Sequence, residues 1–95
     1  MIEDLQVKRY SSAYKLIEAL WYRGCSATKV IARDFNKTKI LRENEYVRIE
    51  AMLRLFSDIG VVERLWVSIT ENKGMDCFRL TDAGQRLWMN IREKP

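Results

Sequence analysis

The 95-residue chain predicts a mainly α fold with a small β-hairpin, an α+β arrangement in one domain over residues 1–95. Three observations predict it. Apolar residues recur at helical spacing as far as residue 59. Past Gly60 the period changes to two, and after Thr81 the helical period returns. The four glycines (24, 60, 74 and 84) are isolated, and the one proline is the terminal Pro95. They punctuate elements, and no clustered glycines are present to cradle a phosphate.

Each element has its own signal. Residues 11–23, opened by Ser11-Ser12, place Ala13, Leu16, Ile17, Leu20 and Trp21 on one helical face. Gly24 follows as the helix-ending residue. Residues 26–36 predict a second helix with Ser26 as its N-cap and Ala27, Ile31 and Phe35 inward. After a basic linker, residues 44–59 form the clearest helix, with Ile49, Met52, Leu53, Phe56 and Ile59 inward and Gly60 ending it. Val61, Glu63, Leu65, Val67 and Ile69 then alternate with Val62, Arg64, Trp66, Ser68 and Thr70. That alternation makes Leu65 and Val67 core-facing and leaves Trp66 on the opposite face. Glu71-Asn72-Lys73-Gly74 predicts the hairpin turn, Met75 to Leu80 the returning strand, and Thr81 the cap of a last helix carrying Leu87, Trp88 and Ile91.

Composition excludes several functions. Hydrophobic residues make up 47% and charged residues 32%, which is a globular balance. There is no histidine, so catalysis through a histidine base and histidine-containing metal sites are excluded. Cys25 and Cys77 are too far apart for a CxxC motif and predict two free, half-buried thiols. The acids are scattered and no nucleophile–base pair can be assembled, so no enzyme and no cofactor are expected. The acidic start, Met1-Ile2-Glu3-Asp4, and the lack of a long apolar run predict a cytoplasmic protein without a membrane partner.

Three helices, a two-stranded hairpin and a closing helix form the winged helix-turn-helix order. The segment Glu45-Tyr46-Val47-Arg48-Ile49-Glu50-Ala51-Met52-Leu53-Arg54-Leu55-Phe56-Ser57-Asp58-Ile59-Gly60-Val61-Val62-Glu63-Arg64 resembles the recognition helix and first wing strand of MarR-like and PadR-like regulators. Phe78-Arg79-Leu80-Thr81-Asp82-Ala83-Gly84 resembles their aromatic-x-Leu-Thr-x-x-Gly junction into the C-terminal helix. Together these patterns lie within residues 45–84, a little under half the chain. The resemblance implies a DNA-binding fold that dimerises through its terminal helices.

Charge placement agrees with that implication. The net charge is +4, yet Arg23 to Arg42 alone holds six basic residues against one acid, a local excess of +5. Lys29, Arg33, Lys37, Lys39 and Arg42 therefore fall on the second helix and the linker, where such a fold meets the phosphate backbone. On the third helix Asn44, Val47, Ala51 and Arg54 point outward, with Glu43, Arg48 and Glu50 flanking them. Short Val47 and Ala51 permit close approach to a major groove, while Asn44 and Arg48 offer bidentate contacts to adenine or guanine. Lys73 at the hairpin tip adds a phosphate or minor-groove contact. Apolar surface on residues 1–10 and the last helix assigns a homodimer interface to Leu5, Leu87, Trp88 and Ile91.

The expected function is sequence-specific binding of double-stranded DNA as a homodimer, in transcriptional regulation and in association with the nucleoid or a plasmid. Two alternatives share the fold. One is a partition-site adaptor of a plasmid or virus segregation system, with further protein partners. The other is a protein-interaction winged helix that binds no DNA.

Overall fold

The helices form where the sequence caps them. A computed structural model describes residues 6–8, 11–35 and 43–93. Its elements run α1 (Ser12–Arg23), β1 (Ser26–Ala27), α2 (Thr28–Phe35), α3 (Glu43–Asp58), β2 (Val62–Thr70), β3 (Lys73–Leu80) and α4 (Asp82–Glu93). Ser11 precedes α1 in extended conformation, and its Oγ accepts the Tyr14 N–H at 3.2 Å, a first-turn donor that the helix cannot satisfy itself. At the other end Gly24 has φ +75 and donates its N–H to Leu20 O at 2.9 Å.

The exit from α3 is a Schellman turn. Val61 N–H reaches back to Phe56 O at 2.8 Å, Gly60 N–H to Ser57 O at 3.2 Å, and Gly60 takes φ +85. A residue with a Cβ is strained in that conformation, so the glycine turns the chain out of the helix and into β2.

β1, β3 and β2 make an antiparallel sheet in that order, with β3 central. Pairing runs from Val62↔Leu80 at the base to Thr70↔Lys73 at the tip, with an irregularity between Ser68 and Thr70. The connection is therefore Glu71-Asn72. Gly74 is not part of it: it lies in β3 opposite Ser68, and the expected turn is shorter by its last two residues, Lys73 and Gly74, which belong to the strand. Gly74 serves another purpose. A Cβ there would come within 2.5 Å of the Trp66 ring, which lies over the bare backbone.

The core draws Tyr14, Leu16, Ile17 and Leu20 from α1, Ile31 and Ala32 from α2, and Ile49, Leu53 and Phe56 from α3. Val61, Val62 and Leu80 close it at the base of the hairpin, and Leu87, Trp88 and Ile91 close it from α4. Each Val, Leu, Ile or Phe side chain among them contributes about 1.5–3 kcal/mol by leaving water. Tyr14, Trp21 and Tyr22 surround the Trp88 ring at centroid distances of 5.1, 6.5 and 6.5 Å.

Three further expectations change. Ser26 is not the cap of the second helix: it pairs with Phe78 in β1, its Oγ donates to Gly24 O at 3.3 Å, and α2 starts at Thr28. The short strand was the stronger use of these residues, because β3 offers them a hydrogen-bonding edge. Leu65 and Val67 are not core residues. Leu65 is half-buried and Val67 is 41% exposed, because the hairpin projects beyond the body and only its base is covered. The residues that do face the core are Val62 and Leu80, with Phe78 packed against them. Finally, Leu87, Trp88 and Ile91 are buried within the chain itself, against α1 and the hairpin base, so they are no surface for a second copy. Leu5, the fourth residue assigned to that interface, lies outside the described residues.

Candidate nucleic-acid interface

One junction aims α3 and the hairpin. Thr81 Oγ1 accepts the Gly84 N–H at 3.0 Å, capping α4, and donates to Gly60 O at 2.5 Å, the carbonyl that leaves α3. Thr81 N–H also bonds Val61 O at 3.0 Å. Gly84 completes the junction by having no side chain: a Cβ there would lie 2.0 Å from Val61 O. The Leu-Thr-x-x-Gly pattern is thus a three-way joint holding the end of α3, the start of the wing and the start of α4.

Held at that joint, α3 buries Ile49, Leu53 and Phe56 and turns its other side outward. Val47 is 58% exposed, and Arg48, Ala51 and Arg54 are exposed beside it. At 100° per residue Val47, Ala51 and Arg54 share a face, with Arg48 on its flank. A helix face bearing two small side chains between two guanidinium groups can enter a groove closely and still donate at its margins. Leu55 is also exposed, at 56%, on the Arg48 side of the helix. Sequence reasoning missed it, although its seven-residue spacing from Arg48 was the available signal.

The remaining expected contacts are distributed. Lys29 is exposed on α2, and Lys73 is exposed where β3 begins, next to the Glu71-Asn72 turn. Arg33 lies on α2 and Asn44 on the first turn of α3, while their side chains lie outside the described residues. So do Lys37, Lys39 and Arg42, the most basic part of the linker.

Between α3 and the facing side of the hairpin runs an open groove. Glu50, Asp58, Glu63 and Asp76 line it together with Arg54 and Arg64. The Arg64 Nε lies 3.9 Å from Asp76 Oδ1, and Arg79 Nε donates to Glu63 across the strand pair. Arg64 was also missed, though strand parity puts it on the same face as Trp66. Trp66, fixed over Gly74, stands 66% exposed on that face. Across the hairpin Val67 and Met75 pair with 41% and 40% exposure, and Ile69 is 59% exposed.

Among the described residues no group of three or more acidic or thiol side chains is placed to hold a metal ion. No described helix is long and apolar enough to cross a membrane.

No protein-family model and no curated protein matches the chain. Solved structures do. Bacillus subtilis PadR, in complex with operator DNA, superposes with a TM-score of 0.71 at 14% identity, over 93% of this chain and 50% of that one. A PadR-like transcription factor from Bacteroides fragilis superposes with a TM-score of 0.66 at 15% identity, over 84% of this chain and 75% of that one. The chain thus spans half the length of the first and three quarters of the second. The fold shared with both is a winged helix, and among the described residues of this chain it is α+β with four helices and a three-stranded antiparallel sheet.

Proposed function

We propose that this chain binds double-stranded DNA in a sequence-specific way, as a homodimeric transcriptional regulator. The observation that carries this is the outward face of α3. Val47 and Ala51 are exposed where a solvated helix would carry long polar side chains, and Arg48 and Arg54 border them. The same fold in PadR is found with operator DNA. Thymine methyls would meet the small apolar residues, and Arg48 and Asn44 would contact base edges. Lys29, Arg33, Lys37, Lys39 and Arg42 supply the phosphate contacts and Lys73 of the wing adds another, leaving the affinity strongly dependent on salt. A homodimer follows from economy of reading, since one α3 spans few base pairs and two-fold operators mirror two-fold proteins.

One observation favours a second function, a winged helix that docks a protein. Trp66, Val67, Ile69 and Met75 are exposed on the wing, and four carboxylates line the groove beside α3. The two functions separate on salt. Fluorescence anisotropy with duplexes recovered by selection from a random library, titrated between 50 and 200 mM salt, should show affinity falling by about 10³–10⁵ for 6–10 neutralised phosphates. Failure of the selection to recover a sequence, with a flat salt response on generic duplex, would favour the protein-docking function.

A further inference from the structure

The two cysteines, far apart in the sequence, meet across the sheet. β1 pairs with β3 so that Ser26 lies opposite Phe78 and Ala27 opposite Cys77. Alternation puts Cys25, two residues before Ala27, on the Cys77 side of the sheet. Cys25 lies among the close electrostatic neighbours of the Cys77 thiol. Their surroundings differ: Cys25 is exposed and Cys77 is buried. Burial pushes the Cys77 thiol up, and neighbouring Cys25 and Asp76 push it the same way, so Cys77 holds its proton while Cys25 meets solvent. Cys25 also follows Gly24, whose φ is +75 and beside which no atom lies within 4 Å of a would-be Cβ.

We propose that Cys25 and Cys77 form an oxidation site for hydroperoxides, in which exposed Cys25 is attacked first and Cys77 closes an intrachain disulfide. In the first step the Cys25 sulfur takes the distal oxygen of the hydroperoxide. The O–O bond breaks, an S–O bond forms, and the alcohol (water, for hydrogen peroxide) leaves. Cys77 sulfur then attacks the Cys25 sulfenic acid. The S–S bond forms, the S–O bond breaks, and the departing hydroxide leaves as water with the Cys77 proton. Two thiols lose two electrons in all, and the hydroperoxide gains them. The bond would close a loop of about 50 residues. It would also pin β1, which runs directly into α2 at Thr28, to the central strand of the sheet. This chemistry stands apart from the proposed DNA binding and is tested without DNA.

The test is hydrogen peroxide treatment of the reduced full chain, followed by peptide mass mapping without reductant. Both thiols should be lost together, with a Cys25–Cys77 linked peptide in the species of unchanged chain number, reversed by dithiothreitol. Cys77→Ser should stop at a Cys25 sulfenic acid trapped by dimedone, and Cys25→Ser should leave Cys77 unmodified under the same exposure. The wild-type result stands even if a serine variant fails to fold. Dimedone-trapped or overoxidised Cys25 beside a free Cys77 in the wild-type chain would overturn the proposal. So would a Cys25–Cys25 link between chains.

Discussion

Thr81 joins two helices and a strand through one side chain and one amide. Its Oγ1 accepts from Gly84 N–H and donates to Gly60 O, and its N–H reaches Val61 O. Thr81→Val keeps the shape and loses both hydroxyl roles, so urea unfolding should show a loss of about 1–2 kcal/mol, the range for a lost N-cap. Thr81→Ser should recover most of it. Gly84→Ala acts differently, by bulk. Its Cβ would lie 2.0 Å from a backbone carbonyl, which cannot swing aside as a side chain can. The same measurement should show a loss of about 1–3 kcal/mol, as for overpacked cores. Stability equal to wild type would mean that the joint is looser than these distances state.

At the scale of elements, α4 completes the core. Truncation before Gly84 removes Leu87, Trp88 and Ile91, all buried against α1 and the hairpin base. Circular dichroism should show an unfolded chain, not a folded monomer, and Leu87→Ala alone should cost about 2–5 kcal/mol. The wing is the opposite case. Amides near Val62 and Leu80 should exchange slowly and those from Val67 to Met75 quickly, because cover ends midway along the hairpin. Uniform protection would place a covering surface over the wing. The contrast also marks how far the sequence could be followed. Helical period states which face is buried, so Leu16, Ile17, Leu20, Ile49, Leu53 and Phe56 were legible, as was the Gly60 turn. Strand alternation separates two faces but says nothing about which neighbour stands on either, so Leu65 and Val67 were misplaced. Amphipathicity likewise marks Leu87, Trp88 and Ile91 as buried without saying by whom. Of the interface, the outward position of Val47, Ala51 and Arg54 followed from period alone. Leu55 and Arg64 carried signals of the same kind, the seven-residue spacing from Arg48 and the strand parity with Trp66, that were not followed.

For the whole molecule, phosphate contacts and base contacts should separate in measurement. Arg48→Ala or Asn44→Ala should cost about 1–3 kcal/mol on a selected duplex and relax preference at one or two positions, with generic duplex less affected. Lys73→Ala, or Lys37→Glu with Lys39→Glu, should weaken all sequences alike and make the salt slope shallower. Equilibrium sedimentation should show two chains per duplex site, and a single chain on a fully occupied site would set the dimer aside.

The outward face of α3 is the centre of the account, and Ala51→Glu tests it most directly. Ala51 is exposed on the side away from Ile49 and Leu53, so the variant should fold with native stability. Its carboxylate would stand where the helix meets the groove, so anisotropy on the selected duplex should show specific binding lost. A folded Ala51→Glu protein that binds this duplex with wild-type affinity would contradict the docking of α3.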